Sequence, residues 1–281
     1  MAPTYQLVPA GFSLAAVLLW GTSDFVGGYA ARRTSVFLFT ALVHGSGGVF
    51  MLLLVLARHS QPPSRASAEW ALAAGLFGGI ALAIFYRALA AGKMGITAPV
   101  AAVLSAAIPA AIGMITAGFP GALPVVGFGL AGTGLWLISR SEGDLQPAGL
   151  GFAVLAGIGF AGFYLCMKQA GDGSAMWIAL LSRVCAFAVT GAVTLLTRNL
   201  HRIPLPILSL GVFAGCLDVS GSALFVRAAQ TGRLDSVVVL SSLYPAVTVL
   251  LARFLLKERF SRWRLVGMAT ALLAVPLIAL Q

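Results

Sequence analysis

Long apolar runs alternate along this chain with short gaps that hold charged residues, glycine and proline. A run of about 20 mostly apolar residues crosses the hydrocarbon core of a bilayer as a helix. Ten such runs are present, and the gaps between them set their boundaries. They predict helices over residues 10–31, 35–57, 69–91, 95–117, 121–139, 147–169, 174–197, 205–229, 235–256 and 262–280. The pattern therefore predicts an all-α integral membrane protein with ten transmembrane helices.

Two short sequence echoes suggest that the ten spans form two groups of five. The segment YRALAAGK at residues 86–93 resembles VRAAQTGR at residues 226–233, which is 140 positions later. The segment VLSAAIPA at residues 103–110 resembles VLSSLYPA at residues 239–246, which is 136 positions later. The two registers differ by about one helical turn. We interpret the echoes as an internal repeat in which one half carries an extra turn.

An odd number of spans in each repeat determines how the two halves are related. After five crossings the chain re-enters the membrane from the opposite side, so the second repeat is inverted with respect to the first. We expect residues 1–140 to form the first repeat and residues 141–281 the second. Inverted pairs of this kind are typical of carriers that work by alternating access. Arg87 and Arg227 would then lie near opposite faces of the membrane.

The composition agrees with a membrane protein and argues against a nucleic acid partner. Hydrophobic residues make up 59% of the chain and charged residues 9%, with a mean hydropathy of +0.98. Soluble domains typically carry about 25% charged residues. The net charge is +10, but the 18 Lys and Arg residues lie mostly in the short gaps between apolar runs. They are orientation signals for a bilayer rather than a basic groove for nucleic acid.

The basic residues are distributed unequally between the two sides of the membrane. Gaps after odd-numbered spans hold twelve of them, and gaps after even-numbered spans hold five. The positive-inside rule then places both termini outside the cytoplasm. No Lys or Arg precedes Arg32, so the first run lacks the basic start of a secretory signal and is expected to remain as a helix.

Four ionisable residues fall inside predicted spans: Asp24, His44, Arg183 and Asp218. A charge near the bilayer centre costs about 2.5–3.5 kcal/mol on insertion scales, so it must face a partner or a wet cavity. Spans 7 and 8 are antiparallel neighbours, which brings Arg183 and Asp218 to a similar depth. They can pair structurally or act in gating. Asp24 and His44 are either packing partners or groups that receive a substrate ammonium or a proton.

Several motifs carry a resemblance to a known family. They are Trp20-Gly21 in the first span, SSLYPAVTVLLARFLLKER at residues 241–259, and Gly267 in the last span. In these features the sequence resembles the drug/metabolite transporter superfamily, specifically the ten-helix EamA-type carriers, and is similar to aromatic amino acid exporters. The likeness covers nearly the whole chain. One departure is GFPG at residues 118–121, where the family pattern has an acidic residue after span 4.

The resemblance implies a secondary transporter that exports small metabolites, among them aromatic or hydrophobic amino acids. It implies alternating access through a central cavity lined by spans 1–4 and 6–9, with no catalytic residue, cofactor or metal. We expect the protein to lie in the bacterial inner, or plasma, membrane. Nucleosides or amines are other solute classes that such a carrier would accept. One chain holds both halves, so we expect a functional monomer, and a dimer through spans 5 and 10 is possible.

Aromatic and hydroxyl side chains deep in the spans are candidates for the solute pocket. Aromatic rings suit an apolar or aromatic solute, although packing in the core or against lipid is the commoner use of such residues. Proline leaves a backbone carbonyl unpaired, which is tolerated where a helix lines a cavity, so hydroxyls near Pro109 and Pro245 are favoured. The candidate substrate-binding residues are Trp20, Asp24, His44, Tyr86, Ser105, Phe160, Tyr164, Ser241 and Tyr244.

Two further basic positions are candidates for gating. Arg87 precedes Gly92-Lys93, and Arg227 precedes Gly232-Arg233, at equivalent places in the two repeats. The commoner use of such a residue is as a base that reaches from a helix end to the interface. With Arg183 and Asp218 they complete the set of structural or gating charges.

The remaining motifs do not favour an enzyme. GIGFAG at residues 157–162 matches G-x-G-x-x-G but lies inside span 6 without the strand that this motif requires. The stripe Gly149, Ala153, Gly157 and Ala161 instead predicts close approach of another helix. No Walker A sequence or metal-binding spacing occurs, and three in-span cysteines do not suggest disulfides. A polytopic membrane enzyme using His44 with Ser46 remains the alternative class.

Overall fold

The computed structural model describes residues 4–91, 94–139, 147–171, 173–198, 200–256 and 261–279. All regular structure in these ranges is helical. The helices are α1 (Thr4–Ala30), α2 (Val36–Ala57), α3 (Arg65–Ala91), α4 (Met94–Ala117), α5 (Ala122–Ser139), α6 (Pro147–Gln169), α7 (Ala175–Leu196), α8 (Leu205–Thr231), α9 (Leu234–Ser241), α10 (Tyr244–Leu255) and α11 (Arg262–Ala279).

The predicted spans correspond to these helices. Among the described residues, eight segments are long and apolar enough to cross a membrane, and one of them, Leu234–Leu255, combines α9 and α10. Two shorter apolar helices, Ala122–Leu137 and Leu265–Ile278, lie in α5 and α11. The prediction of an all-α integral membrane protein with about ten helices is confirmed. The largest shift in a boundary is at α1, which begins at Thr4 rather than near residue 10.

The ninth predicted span is not one continuous helix. It is interrupted at Ser242 and Leu243, between α9 and α10, and Pro245 occupies the first turn of α10. Proline has no N–H to donate, which matters little in the first turn of a helix but leaves a carbonyl unpaired inside one. The break therefore lets the chain accommodate Pro245. By contrast, α4 runs without interruption through Pro109.

Helices from the two halves of the chain pack between one another. The most extensive contacts are α5 with α11, α1 with α8, α3 with α6, and α2 with α7. Further contacts join α3 to α7 and α2 to α8, and join α4 to α6 and α1 to both α9 and α10. When α9 and α10 are counted as one span, every contact in this set either has a counterpart after the two halves are exchanged or joins equivalent helices.

Apolar side chains cover the outward faces of the molecule. Leu196 is 84% exposed and Ile115 is 82% exposed, and many other large apolar residues are also exposed. Apolar surfaces of this extent are not tolerated in water, but lipid chains cover them in a bilayer. The interior contains the polar side chains described below, so the molecule is apolar outside and partly polar inside.

Small residues on α6 allow α4 to approach closely. A Cβ at Gly157 would lie 2.8 Å from the carbonyl oxygen of Ala101 and 2.8 Å from the Cβ of Leu104. Ala153 and Ala161, one turn before and after Gly157, are buried. The stripe predicted on this helix thus serves helix packing, which explains the glycines of the G-x-G-x-x-G match without a nucleotide.

Candidate functional site

A cavity lies among helices of both halves. Its volume is about 40 Å³, which is room for a few water molecules but far below the roughly 300–1,000 Å³ of a typical ligand pocket. The cavity is therefore too small to hold a typical solute in this conformation. It is lined by Trp20, Asp24, Gly78, Leu82, Phe160, Phe163, Tyr164, Arg183, Asp218 and Tyr244.

Two groups of aromatic rings form the walls of the cavity. In the first group the ring of Trp20 lies 6.3 Å from that of Phe163 and 5.9 Å from that of Tyr164, centroid to centroid. Phe225 of α8 supports this group from behind, 4.7 Å from Tyr164. In the second group Phe85 joins two lining residues, at 5.5 Å from Phe160 and 6.3 Å from Tyr244. The spacings are those of favourable aromatic pairs.

Arg183 and Asp218 form a buried ion pair at one side of the cavity. Nη1 of Arg183 donates to Oδ2 of Asp218 at 2.7 Å, and the two side chains are 4% and 10% exposed. Nη2 of Arg183 donates to Oγ of Ser222 at 2.8 Å. The indole Nε1 of Trp20 donates to the backbone carbonyl of Asp218 at 3.1 Å, which ties α1 to α8. The pairing expected from the depth of these two residues is present.

His44 extends this network away from the cavity. Nη1 of Arg183 donates to Nδ1 of His44 at 3.1 Å, so Nδ1 accepts and the ring proton resides on Nε2. That Nε2 is buried and has no hydrogen-bond partner among the described residues. His44 therefore supports Arg183 from the side of α2 and does not line the cavity.

Asp24 lines the cavity without a protein partner. The residue is 7% exposed, and no described side chain or backbone group forms an ion pair or hydrogen bond with its carboxylate. The neighbouring Ser23 turns away and donates to the carbonyl of Ala214 at 2.9 Å. A buried carboxylate in this situation is costly unless it takes up a proton or meets a cation. Asp24 is thus the one lining carboxylate that is open to a ligand among the described residues.

Several hydroxyls near the cavity are also without partners. The hydroxyl of Tyr244, a lining residue, is buried and forms no hydrogen bond with the described residues. The hydroxyl of Tyr86 is in the same condition, but its ring lies against Gly27 and 6.1 Å from the ring of Phe39, away from the lining. Unpaired buried hydroxyls are uncommon in proteins, and those at a cavity are available to a ligand.

The structure separates the predicted substrate-binding residues into two layers. Trp20, Asp24, Phe160, Tyr164 and Tyr244 line the cavity. The other four predicted residues are fully buried and absent from the lining; they are His44, Tyr86, Ser105 and Ser241.

Two of that second layer are serines. Ser105 donates to the carbonyl of Ala102 at 3.0 Å, and Ser241 has a buried hydroxyl without a described partner.

The proposed enzyme pair of His44 and Ser46 does not form a nucleophile and base. Oγ of Ser46 donates to the carbonyl of Leu42 at 2.7 Å and also lies near the carbonyl of Gly211 at 3.4 Å. His44 is engaged with Arg183 instead. The two side chains therefore serve separate helix contacts.

Arg87 and Arg227 lie outside the cavity lining and are exposed. The guanidinium of Arg87 stands 5.2 Å from the ring centroid of Phe152 on α6. Their gating role stays a prediction. Gly92 and Lys93, which the sequence associates with Arg87, lie outside the described residues.

Several lining or supporting residues were not among the candidate site residues, including Gly78, Leu82 and Ser222. Gly78 and Leu82 line the cavity on α3, and Ser222 holds Arg183. Two of them could have been found from the sequence. Gly78 precedes Asp218 by 140 positions, which is the spacing of the first sequence echo, and Ser222 follows Asp218 by one helical turn and so lies on the same face of the helix. Leu82 has no such signal, because it is one of many apolar residues on its helix.

Comparisons with known proteins agree with this architecture. Residues 147–280 match the EamA-like transporter family. No curated protein matches the sequence. The fold matches 28 solved chains, one of which, described only as the crystal structure of a protein, has a TM-score of 0.74 at 18% identity and covers 97% of this chain and 98% of its own. At that identity the match shows the fold alone.

The family match covers nearly all of the second predicted repeat, and the fold match extends over both halves. The similarity to aromatic amino acid exporters stays a prediction. Over residues 147–280 the chain is similar to the EamA-like transporter family, in line with the resemblance to the drug/metabolite transporter superfamily that its sequence carries.

Proposed function

We propose that this protein is a secondary transporter of small metabolites that works by alternating access through the cavity between its halves. Amino acids with aromatic or hydrophobic side chains are the solute class that the family resemblance suggests. The export direction and a location in the bacterial inner membrane are parts of the same proposal. We propose a functional monomer, because one chain supplies every helix around the cavity.

The observation that carries this proposal is the position of Asp24. A carboxylate without a partner sits in an aromatic-walled cavity that is enclosed by helices of both halves. A structural acid would be expected to have a partner, as Asp218 has in Arg183. An acid that must bind and release a solute has to be free when the cavity is empty.

The helix contacts support a division into two inverted repeats, residues 1–140 and 141–281. The exchange symmetry of those contacts is the arrangement that two five-helix units related by a twofold axis would produce. Two hydrogen bonds from basic side chains near the helix ends are also exchanged when the two halves are exchanged. Nη2 of Arg32 donates to the carbonyl of Leu89 at 3.4 Å, and Nζ of Lys168 donates to the carbonyl of Ala229.

These two contacts are spaced as the sequence echoes are. Arg32 and Lys168 are 136 positions apart, and Leu89 and Ala229 are 140 positions apart. In an inverted pair one contact closes each face of the membrane. In the proposed cycle, a conformation with both contacts formed and a small cavity is the state between the two open ones. Transport then requires each contact to open in turn.

Counterflow tests the proposed function. Purified protein is reconstituted into proteoliposomes loaded with unlabelled solute, and uptake of the same labelled solute is followed after dilution. A carrier gives transient accumulation above equilibrium, because internal solute drives the return of the labelled form. The solutes to screen are aromatic and hydrophobic amino acids, nucleosides and amines.

A matched pair of variants makes the result specific to the cavity. Asp24→Asn removes the unpaired carboxylate and is expected to abolish counterflow. Glu69→Gln removes the exposed carboxylate that pairs with Arg65 at the start of α3 and should leave counterflow unchanged. Absence of counterflow for every solute class, or uptake without stimulation by internal solute, would contradict a carrier.

A further inference from the structure

The charged residues of the cavity do not balance. The lining contains two carboxylates, Asp24 and Asp218, and one guanidinium, Arg183. Arg183 is matched by Asp218 at 2.7 Å. With both acids ionised, the cavity therefore holds one uncompensated negative charge, on Asp24. A solute that carries one positive charge would neutralise the site.

The walls reinforce a preference for a cation. Five of the ten lining residues are aromatic: Trp20, Phe160, Phe163, Tyr164 and Tyr244. The face of an aromatic ring is electronegative, and a cation within about 6 Å of its centroid is attracted, more strongly when water is excluded. The structure already contains one such contact, because the guanidinium carbon of Arg183 lies 5.7 Å from the ring centroid of Phe163.

The unpaired hydroxyl of Tyr244 supplies a second acceptor. It is buried, lines the cavity and has no partner among the described residues. An ammonium group has three N–H donors and no acceptor. A carboxylate oxygen of Asp24 and the phenolic oxygen of Tyr244 can each accept one of them. Both unsatisfied groups would thus be satisfied by one ligand group.

A solute carboxylate would be disfavoured at the same site. The lone guanidinium of the lining donates through Nη1 to Asp218 and His44 and through Nη2 to Ser222, so its charge is matched by Asp218 and only its Nε–H lacks a partner among the described residues. A carboxylate entering the cavity would be the third one facing a single guanidinium. Like charges at close range in a dry site repel strongly. A zwitterionic amino acid would also leave the net charge of the cavity unchanged, whereas an amine would bring it to zero.

We propose that the solute is a small monocationic amine with an aromatic or apolar body and no carboxylate, and that Asp24 holds its ammonium group among the lining aromatic rings. This inference rests on the proposed transport function and replaces amino acids, the class that the family resemblance suggests, with amines. Uncharged solutes such as nucleosides leave Asp24 without a counter-charge, so they bind more weakly than amines. The cavity, at about 40 Å³, has to widen to admit the aromatic body.

Matched ligand pairs test the proposal on the complete, purified protein. Titration calorimetry in detergent compares tryptamine with tryptophan and phenethylamine with phenylalanine, so that each pair differs only by the carboxylate. We expect each amine to bind at least tenfold more tightly than its amino acid. 2-Phenylethanol, which keeps the body of phenethylamine without its charge, is expected to bind at least tenfold more weakly than that amine.

Variants of Asp24 test whether its carboxylate binds the ammonium group of the amine. Asp24→Asn should weaken amine binding at least tenfold, Asp24→Glu should retain part of it, and Glu69→Gln should match the unmodified protein. Melting temperature and size-exclusion profile establish that each variant is folded. If Asp24→Asn does not fold, the ligand pairs on the unmodified protein and the Asp24→Glu variant still decide the proposal.

Three results would overturn the proposal: amino acids that bind as tightly as their amines, amine affinity that is unaffected by folded Asp24→Asn, or no binding of any amine. These results are separable from a failure of the transport function. If amino acids show counterflow and amines do not bind, the proposal of a carrier stands and the proposal of an amine substrate is wrong. If amines bind tightly but no solute shows counterflow, the proposal of a carrier is wrong and the proposal of an amine-binding site stands.

Discussion

Asp218 and Asp24 are two carboxylates in one cavity with opposite surroundings. Asp218 meets Arg183 at 2.7 Å, and Arg183 has further partners in His44 and Ser222. The carboxylate of Asp24 forms no ion pair or hydrogen bond with the described residues. The first arrangement holds α7 and α8 together at a fixed distance. The second leaves a charge that only a proton or a ligand can neutralise.

The ion pair gives a stability prediction. Asp218→Asn removes the carboxylate that is hydrogen-bonded to Arg183, and breaking a buried ion pair by removing one partner costs about 3–5 kcal/mol. The double variant Arg183→Met with Asp218→Leu removes both charges and should be less destabilised than Asp218→Asn. Thermal unfolding of the purified variants in detergent measures both effects. If the double variant is at least as unstable as Asp218→Asn, the unpaired charge of Arg183 is not the cause of the destabilisation.

The two unpaired tyrosine hydroxyls give a second prediction at this scale. Removing an unsatisfied buried hydroxyl relieves a desolvation cost, so Tyr244→Phe and Tyr86→Phe should each keep or raise the melting temperature. Only Tyr244 lines the cavity. Calorimetric titration with tryptamine should therefore show weaker binding in Tyr244→Phe alone. Equal losses in both variants would place Tyr86 in contact with the solute as well.

At the scale of elements, helix interruptions and small residues determine the shape of the cavity. The break between α9 and α10 places Tyr244 at the start of a new helix, directly before Pro245. On α6, Gly157 brings α4 into contact, while Phe160, Phe163 and Tyr164 on the same helix reach the cavity. One side of α6 therefore carries small residues that contact α4, and another side carries aromatic rings that line the cavity.

Alanine substitutions on α6 test the close contact. At Gly157 an added Cβ would lie 2.8 Å from the Ala101 carbonyl oxygen, so Gly157→Ala forces the helices apart and should cost about 1–3 kcal/mol. Gly151, on the same helix, has nothing within 4 Å of its Cβ position. Gly151→Ala should therefore be neutral or slightly stabilising, because alanine favours helix over glycine. Similar melting temperatures for the two variants would contradict a tight α4–α6 interface.

At the scale of the whole molecule, the helices of the two halves are interleaved rather than grouped. α1 and α3 each pack mainly on a helix of the other half, and so do α2 and α5. The cavity is consequently enclosed by elements distant in sequence, such as Asp24 of α1 and Tyr244 of α10. A relative movement of the halves would change its volume from both sides.

The proposed inverted repeat gives a prediction about sidedness. Arg87 and Arg227 are both exposed and lie 140 positions and five spans apart. In a protein whose three native cysteines are replaced by serine, Arg87→Cys and Arg227→Cys should be labelled from opposite sides by a membrane-impermeant thiol reagent. The distribution of basic residues predicts that Arg87 lies on the cytoplasmic side. Labelling of both from the same side would contradict the inverted repeat.

Much of this protein was determined by its sequence alone. Apolar runs of membrane length are local and additive, because each helix must satisfy its own backbone in lipid. They predicted the helices, the membrane location and the depth at which Arg183 and Asp218 meet. The interruption in the ninth span was missed because the run stays apolar through Ser242 and Leu243, although the sequence placed Pro245 beside a pocket wall.

Only the tertiary structure decided which of the polar and aromatic candidates meet. Both Tyr86 and Tyr244 look like cavity residues in the sequence, yet the orientation of each helix around its own axis puts one ring against Gly27 and the other into the cavity. That orientation is set by contacts between helices far apart along the chain, which no local pattern encodes. For the same reason, the sequence showed that the charge of Asp24 needs compensation, and the fold showed that the charge of Arg183 is matched by Asp218 instead.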